Sequence, residues 1–364
     1  MRYLITILTI LFIATLSSEA QKKESNDSTK KSSFAIYPAF GSQPETGAQL
    51  GTIAIWVFKA RDNENQEFQR QTSISPFFLY TLKNQVISAF DTDAYFKNGL
   101  NLTSTVRYFN FPDNYYGIGN SNDPDSLEKY TNNFFQIVGT LYRPINPKVF
   151  VGLTYELQRN WLRDIEPEGR IITENITGQD GGFFLGVGPA VKYDSRDNTI
   201  FPSKGIFAFA NILAVQIGDY RYTAYTLEAR KFFTIANEKN IIGIHFSSRF
   251  TSGKNVPFYK LPQLGGDERL RGIENASIYR DKQSIFLQTE YRRDLFWRFG
   301  MVAFAGIGDV AKNPGDFRLD EFKYIAGLGL RFAAVKGQKL NIRTDFGIAR
   351  GGQTAFYIGL KEVF

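Results

Sequence analysis

From Phe34 to Phe364 the chain repeats one pattern about sixteen times: a short segment in which apolar and polar residues alternate, closed by turn residues. Alternation with period two places one set of side chains on each face of an extended strand. Leu100, Leu102, Val106 and Tyr108 oppose Asn101, Thr103, Thr105 and Arg107; Leu340, Ile342, Phe346 and Ile348 oppose Lys339, Asn341, Arg343 and Asp345. The pattern predicts strands over 34–41, 47–60, 68–80, 84–96, 99–110, 130–143, 147–161, 181–194, 204–217, 219–232, 239–251, 282–293, 298–310, 321–333, 338–349 and 353–363. So many two-faced strands fit either a water-soluble sandwich, with the polar face outward, or a membrane barrel, with the apolar face in lipid.

The connections and the composition decide between them. With the amino terminus inside the periplasm, the connections after odd strands lie outside, and these are the long ones: 111–129, 162–180, 251–281 and 311–320. Those on the other side are tight, as at Lys97-Asn98, Pro144-Ile145-Asn146, Asp294 to Trp297 and Ala334 to Gly337. Short turns at one end and long loops at the other belong to transmembrane barrels. The 34 Phe, 19 Tyr and 32 Gly suit interfacial aromatic girdles and strands that bend. Mean hydropathy is only −0.25, and past the amino terminus no window approaches the roughly 20 apolar residues of a membrane helix. The expected fold is all-β, a closed antiparallel transmembrane β-barrel, because closure removes sheet edges that lipid cannot satisfy. The net charge of +7 is spread over alternating positions and forms no stripe, which argues against nucleic acid and for a charged lumen and loops.

The amino terminus predicts export. Met1-Arg2, the apolar run Leu4 to Leu16 and Ser18-Glu19-Ala20 read as a signal peptide over 1–20. Gln21 to Ser33 reads as a disordered periplasmic leader, with the barrel domain over 34–364 and the bacterial outer membrane as destination. The absence of cysteine excludes a lipid-attachment cysteine, disulfides and thiolate metal sites.

Four places hold candidate functional residues. The long connection Lys260 to Gln283 carries Gly265-Gly266, which lets the chain fold back, and Arg271 beside Gly272. If the loop enters the lumen, Arg271 requires an inward carboxylate, and Glu290, on the polar face of the next strand, is the candidate. The turn from Tyr193 to Gly205, placed on the periplasmic side, holds Asp194, Arg196 and Asp197, with Arg196 able to pair with either acid. The chain ends on Phe364, an aromatic terminus of the kind barrel-assembly machineries read as a signal, with Phe356, Ile358, Leu360 and Phe364 expected to face lipid. His245 and Ser247 share the inward face of one strand, but neither a GxSxG elbow nor an oxyanion loop accompanies them, so no catalytic role, cofactor or metal is assigned.

DSRDNTIFPSKG, GGDERLRGI, the Gln288-Thr289-Glu290 strand, FAGIGDV from Phe304 and the terminal Phe together resemble the BamA and TamA family of outer-membrane barrels, the bacterial surface antigens. The resemblance covers about Lys192 to Phe364. It implies sixteen strands, with the loop between strands eleven and twelve folded into the lumen, the connection at which Lys260 to Gln283 falls. It also implies work in outer-membrane protein assembly or translocation, in contact with lipid and the barrel-assembly machinery. Family members that insert or translocate proteins carry periplasmic POTRA domains, for which Gln21 to Ser33 has no room, so a separate POTRA-bearing or other periplasmic partner is expected. A passive or structural barrel is the alternative. Where the family commonly has an Asp in the strand corresponding to Phe304 to Val310, this chain has Gly306, leaving the second partner of Arg271 open.

Overall fold

The computed structural model describes residues 32–58, 72–96, 99–199, 201–236, 239–333 and 341–364. The signal peptide, most of the leader, residues 59–71 and the turns at Lys97-Asn98 and Ala334 to Gly337 lie outside them. Sixteen antiparallel strands close into one barrel, and each coincides with a predicted alternating segment to within a few residues. They are β1 Ser32–Gln43, β2 Gly47–Phe58, β3 Thr72–Thr81, β4 Val86–Tyr95, β5 Asn101–Tyr115, β6 Glu128–Pro144, β7 Val149–Arg163 and β8 Gly182–Asp194. β9 Gly205–Gly218, β10 Arg221–Thr234 and β11 Asn240–Asn255 follow. After the two-residue strands β12 Gln263–Leu264 and β13 Tyr279–Arg280 the wall resumes with β14 Gln283–Asp294, β15 Phe299–Ala311, β16 Lys323–Ala333, β17 Asn341–Ala349 and β18 Thr354–Leu360. β1 opens at Ser32, inside the stretch read as leader, because Ser32 and Ser33 pair with Phe58 and Val57.

Alternation places Phe78, Leu153, Leu227, Leu328 and Phe346 on the exposed outer face. The core therefore lies inside the barrel, where the connection from β11 to β14 is packed. One part of that connection, Val256, Phe258 and Leu261, joins Tyr115, Phe184 and Tyr222. The other, Leu264, Leu270, Ile273 and Ile278, joins Phe286, Phe304 and Ile325 across the lumen.

Two places depart from the sequence reading. Strands 5 to 7 run further into their loops than alternation indicated, so the long connections shrink to 116–127 and 164–181. At the other terminus β18 stops at Leu360: Lys361 adopts φ +67° and the chain turns into the barrel. Glu362 there accepts from Arg331 and from Asn341, each at 2.8 Å, and Arg292 donates to the Phe364 carbonyl at 2.6 Å. Phe364 thus faces inward, 4% exposed against Phe232, and does not sit on the lipid face. The buried arginines at the barrel base attract the polar groups of the tail, and this outweighs continuation of the strand.

The seam between first and last strands is the thinnest in the wall. β1 and β18 share one residue pair, Ser42 with Ile358, whereas β17 and β18 share pairs from Ile342–Leu360 to Ile348–Thr354.

A candidate lock between the lumen loop and the barrel wall

The loop reaches the wall because it doubles back on itself. β12 and β13 pair antiparallel, Gln263 with Arg280 and Leu264 with Tyr279, and bracket the turn that carries Arg271. Gly265 makes the reversal at φ +110°, where a Cβ would meet the Ile273 side chain at 2.9 Å. The bracketed segment descends onto β17: a Cβ on Gly347 would lie 2.5 Å from the Arg271 carbonyl, so the two backbones touch where that glycine stands. Gly272, at φ +127°, faces the backbone of Ile348 in the same way. Tyr357 on β18 holds this point, its hydroxyl donating to the Ile273 carbonyl at 3.3 Å and accepting from the Gly272 N–H at 3.5 Å.

Arg271, Glu290 and Asp345 are all completely buried. Arg271 Nη1 donates to Asp345 Oδ2 at 2.8 Å, and Nη2 lies 3.1 Å from Glu290 Oε1. The first is a directed hydrogen bond; the second is an ion pair without hydrogen-bond alignment, since neither Glu290 oxygen has a hydrogen-bond donor among the described residues. The guanidinium also stands 3.9 Å from the centroid of the Phe304 ring, a desolvated cation–π contact. The sequence named Glu290 as the partner of Arg271; the structure places Glu290 beside it and adds Asp345, which holds the directed bond.

Asp345 is the hub of this site. It accepts from Arg271 and Arg343 at 2.8 Å and from Arg331 at 2.6 Å. Arg343 also binds Asp267 of the loop, Arg331 binds Glu362 at 2.8 Å, and Arg292 stands 3.8 Å from Glu290. Four cations (Arg271, Arg292, Arg331, Arg343) thus face four side-chain carboxylates (Asp267, Glu290, Asp345, Glu362), so the side-chain charges balance. A buried charge is tolerated only when compensated, and here each is. The inward placement of Arg343 and Asp345 followed from alternation along 338–349, but nothing local indicated that Asp345 meets Arg271.

Gly306 explains why the second carboxylate stands elsewhere. A Cβ there would meet Leu270 Cδ2 at 2.7 Å, so the loop's own leucine fills the space that an aspartate would need. The acid in that strand, Asp309, instead binds Lys323 at 3.0 Å.

The 193–205 turn resolves the choice left for Arg196. It grips Asp194 through two hydrogen bonds, at 3.0 and 2.9 Å, and stacks over Phe207 at 4.6 Å. Asp197 serves the turn itself, accepting from the backbone N–H of Asn198 at 3.0 Å, Ser203 at 2.9 Å and Lys204 at 3.2 Å, and from the Ser203 hydroxyl. Partial burial pulls the Asp197 carboxyl upward, but these donors outweigh it and hold it below the usual carboxylate range.

His245 is buried, with Nε2 at 3.2 Å from Glu228 Oε1 and Nδ1 at 3.2 Å from the Gln288 amide. Glu228 and Gln288 engage its two ring nitrogens, which leaves neither for Ser247. Its ring rests 5.0 Å from that of Phe364, as part of the packing around the tail.

The family model described as the Omp85 superfamily domain matches residues 64–359. Among solved structures, BamA from Haemophilus ducreyi lacking POTRA domains 1–3 superposes with a TM-score of 0.62 at 14% identity, over 96% of this chain and 78% of that one. CdiB from Acinetobacter baumannii gives a TM-score of 0.59 at 12% identity, over 92% of this chain and 60% of that one.

Proposed function

The chain belongs to the Omp85 superfamily, and from that membership we propose that this outer-membrane barrel assists the assembly or translocation of other outer-membrane proteins, using the β1–β18 seam as its working edge. The observation that carries this reading is the single pair across the seam, Ser42 with Ile358. Unpaired backbone N–H and C=O groups along a strand edge attract another strand, and a cell exploits or suppresses such an edge but does not leave it idle. In this reading the inward-turned tail keeps β18 short, because Arg331 and Arg292 bind Glu362 and the Phe364 carbonyl in place of letting the strand extend along β1. The loop locked on Gly347 holds the wall beside the seam in shape while the seam itself opens.

The end bearing both termini faces the periplasm in this reading, so the Asp194–Arg196 turn lies there. A POTRA-bearing or other periplasmic partner delivers the substrate, and the barrel-assembly machinery installs the barrel. A passive pore is less favoured, because a pore gains nothing from a cluster of balanced side-chain charges that fastens a loop inside it.

The seam supplies its own test. The sequence lacks cysteine, so Ser42→Cys with Ile358→Cys introduces the only thiols, at positions already paired. In cells depleted of the native protein, the oxidised double variant should fail to restore outer-membrane protein levels and the reduced one should restore them. Full restoration by the cross-linked barrel would overturn the proposal.

A further inference from the structure

The turn from Leu295 to Arg298 joins β14 to β15 at the end of the barrel that carries the termini. Phe296 and Trp297 stand 70% and 78% exposed, and Trp297 is held in the left-handed region at φ +53° by a turn closed through the Leu295 N–H to the Phe299 carbonyl at 2.9 Å. Outward from them Phe299 and its cross-strand partner Phe332 continue the aromatic surface, with ring centroids 5.3 Å apart. Beneath the turn lies a cleft of about 350 Å³ lined by Phe201, Lys239, Asp294 and Arg298 among others. The Arg298 guanidinium stands 5.5 Å from the Trp297 ring, its Nε is buried without a hydrogen-bond partner, and no ion pair joins it to a carboxylate among the described residues. The other arginine of the cleft, Arg331, is already ion-paired with Asp345 through Nη1 and with Glu362 through Nε.

We infer that this cleft binds the phosphate of a membrane phospholipid, with Arg298 as its ligand, the aromatic turn as its seat and the acyl chains running along Phe299 and Phe332. Aromatic side chains at the rim of a barrel fix the depth of the headgroup layer. A guanidinium with unused donors at that depth has phosphate oxygens as its natural acceptors, because its planar fork matches them. The inference rests on the membrane placement of the barrel and not on the assembly reading, so either can fail alone.

The experiment uses the full chain, purified in detergent and confirmed folded by its faster migration on unheated gels. Native mass spectrometry then counts retained phosphatidylglycerol, with diacylglycerol as the same lipid without phosphate and inorganic phosphate as competitor. The wild-type protein should retain phosphatidylglycerol in preference to diacylglycerol, and Arg298→Gln should weaken that retention about tenfold, the size of one charge-assisted hydrogen bond. Trp297→Gly, which suits the left-handed backbone, should also weaken it, while Arg318→Gln, exposed in the β15–β16 loop, should not. Equal retention by Arg298→Gln, equal retention of diacylglycerol, or displacement by millimolar inorganic phosphate would each overturn the assignment. The last of these would make the cleft a free-phosphate site, and rescue of retention by an added periplasmic protein would make it a protein-docking site.

Discussion

Replacing Asp345 by Asn removes the one carboxylate that three arginines share. The cluster then holds four cations against three acids, leaving one uncompensated charge in a site with no solvent access to Arg271, Glu290 or Asp345. Stranding a buried charge costs about 3–5 kcal/mol, equivalent to a loop-opening equilibrium shifted by roughly two to four orders of magnitude. Glu290→Gln leaves the same charge count but should cost less, about 1–3 kcal/mol, because it removes only an unaligned contact to Arg271 at 3.1 Å and a distant one to Arg292 at 3.8 Å, while Arg271 keeps its directed bond to Asp345. Arg271→Met falls between them, since Asp345 retains Arg331 and Arg343. The readouts are the temperature at which the folded gel band is lost and the rate of protease cleavage within 256–282. Because Arg271 touches both acids, Arg271→Met combined with Glu290→Gln should be clearly less damaging than the two single effects summed. If Glu290→Gln proved as damaging as Asp345→Asn, or if that double variant were additive, the hub assignment would be wrong.

Two further outcomes follow from groups outside the wall strands. Burial, reinforced by the negative charge of Asp113 and Asp267 and opposed by backbone hydrogen bonds that include the Ala276 N–H at 3.2 Å, pushes the Glu45 carboxyl up to about 7. A carboxyl raised in the folded state binds more protons there than when released, so this contribution to loop docking is complete below its ordinary value and fades as pH rises through about 7. Loop cleavage should therefore accelerate between about pH 5 and pH 8, and Glu45→Gln should flatten that dependence; an unchanged slope in the variant would assign it elsewhere. Phe364→Ala empties a site packed against Phe232 and His245, at a cost of about 3–5 kcal/mol, and should reduce the assembled, heat-modifiable fraction far more than Lys361→Gln does. Equal effects would mean that the terminal aromatic serves neither packing nor assembly.

Alternation gave the strands, and loop lengths and composition made them a barrel. Sidedness repeats every two residues and is set within each strand, so the sixteen segments, the greasy outer face and the inward direction of Glu290, Arg343 and Asp345 could all be read without knowing any neighbour. The asymmetry of loop lengths was equally local, and so was the need of Arg271 for an acid. The identity of its main partner was not, because Asp345 lies 74 residues away and is chosen by how far the loop descends, which depends on the bare backbones at Gly347 and Gly306. The end of the chain shows the same division. Phe356 to Phe364 alternates like a strand, and within the segment nothing opposes continuing it; the arginines that draw Glu362 and the Phe364 carbonyl inward come from β14 and β16, and only closure of the barrel brings them beneath the last strand.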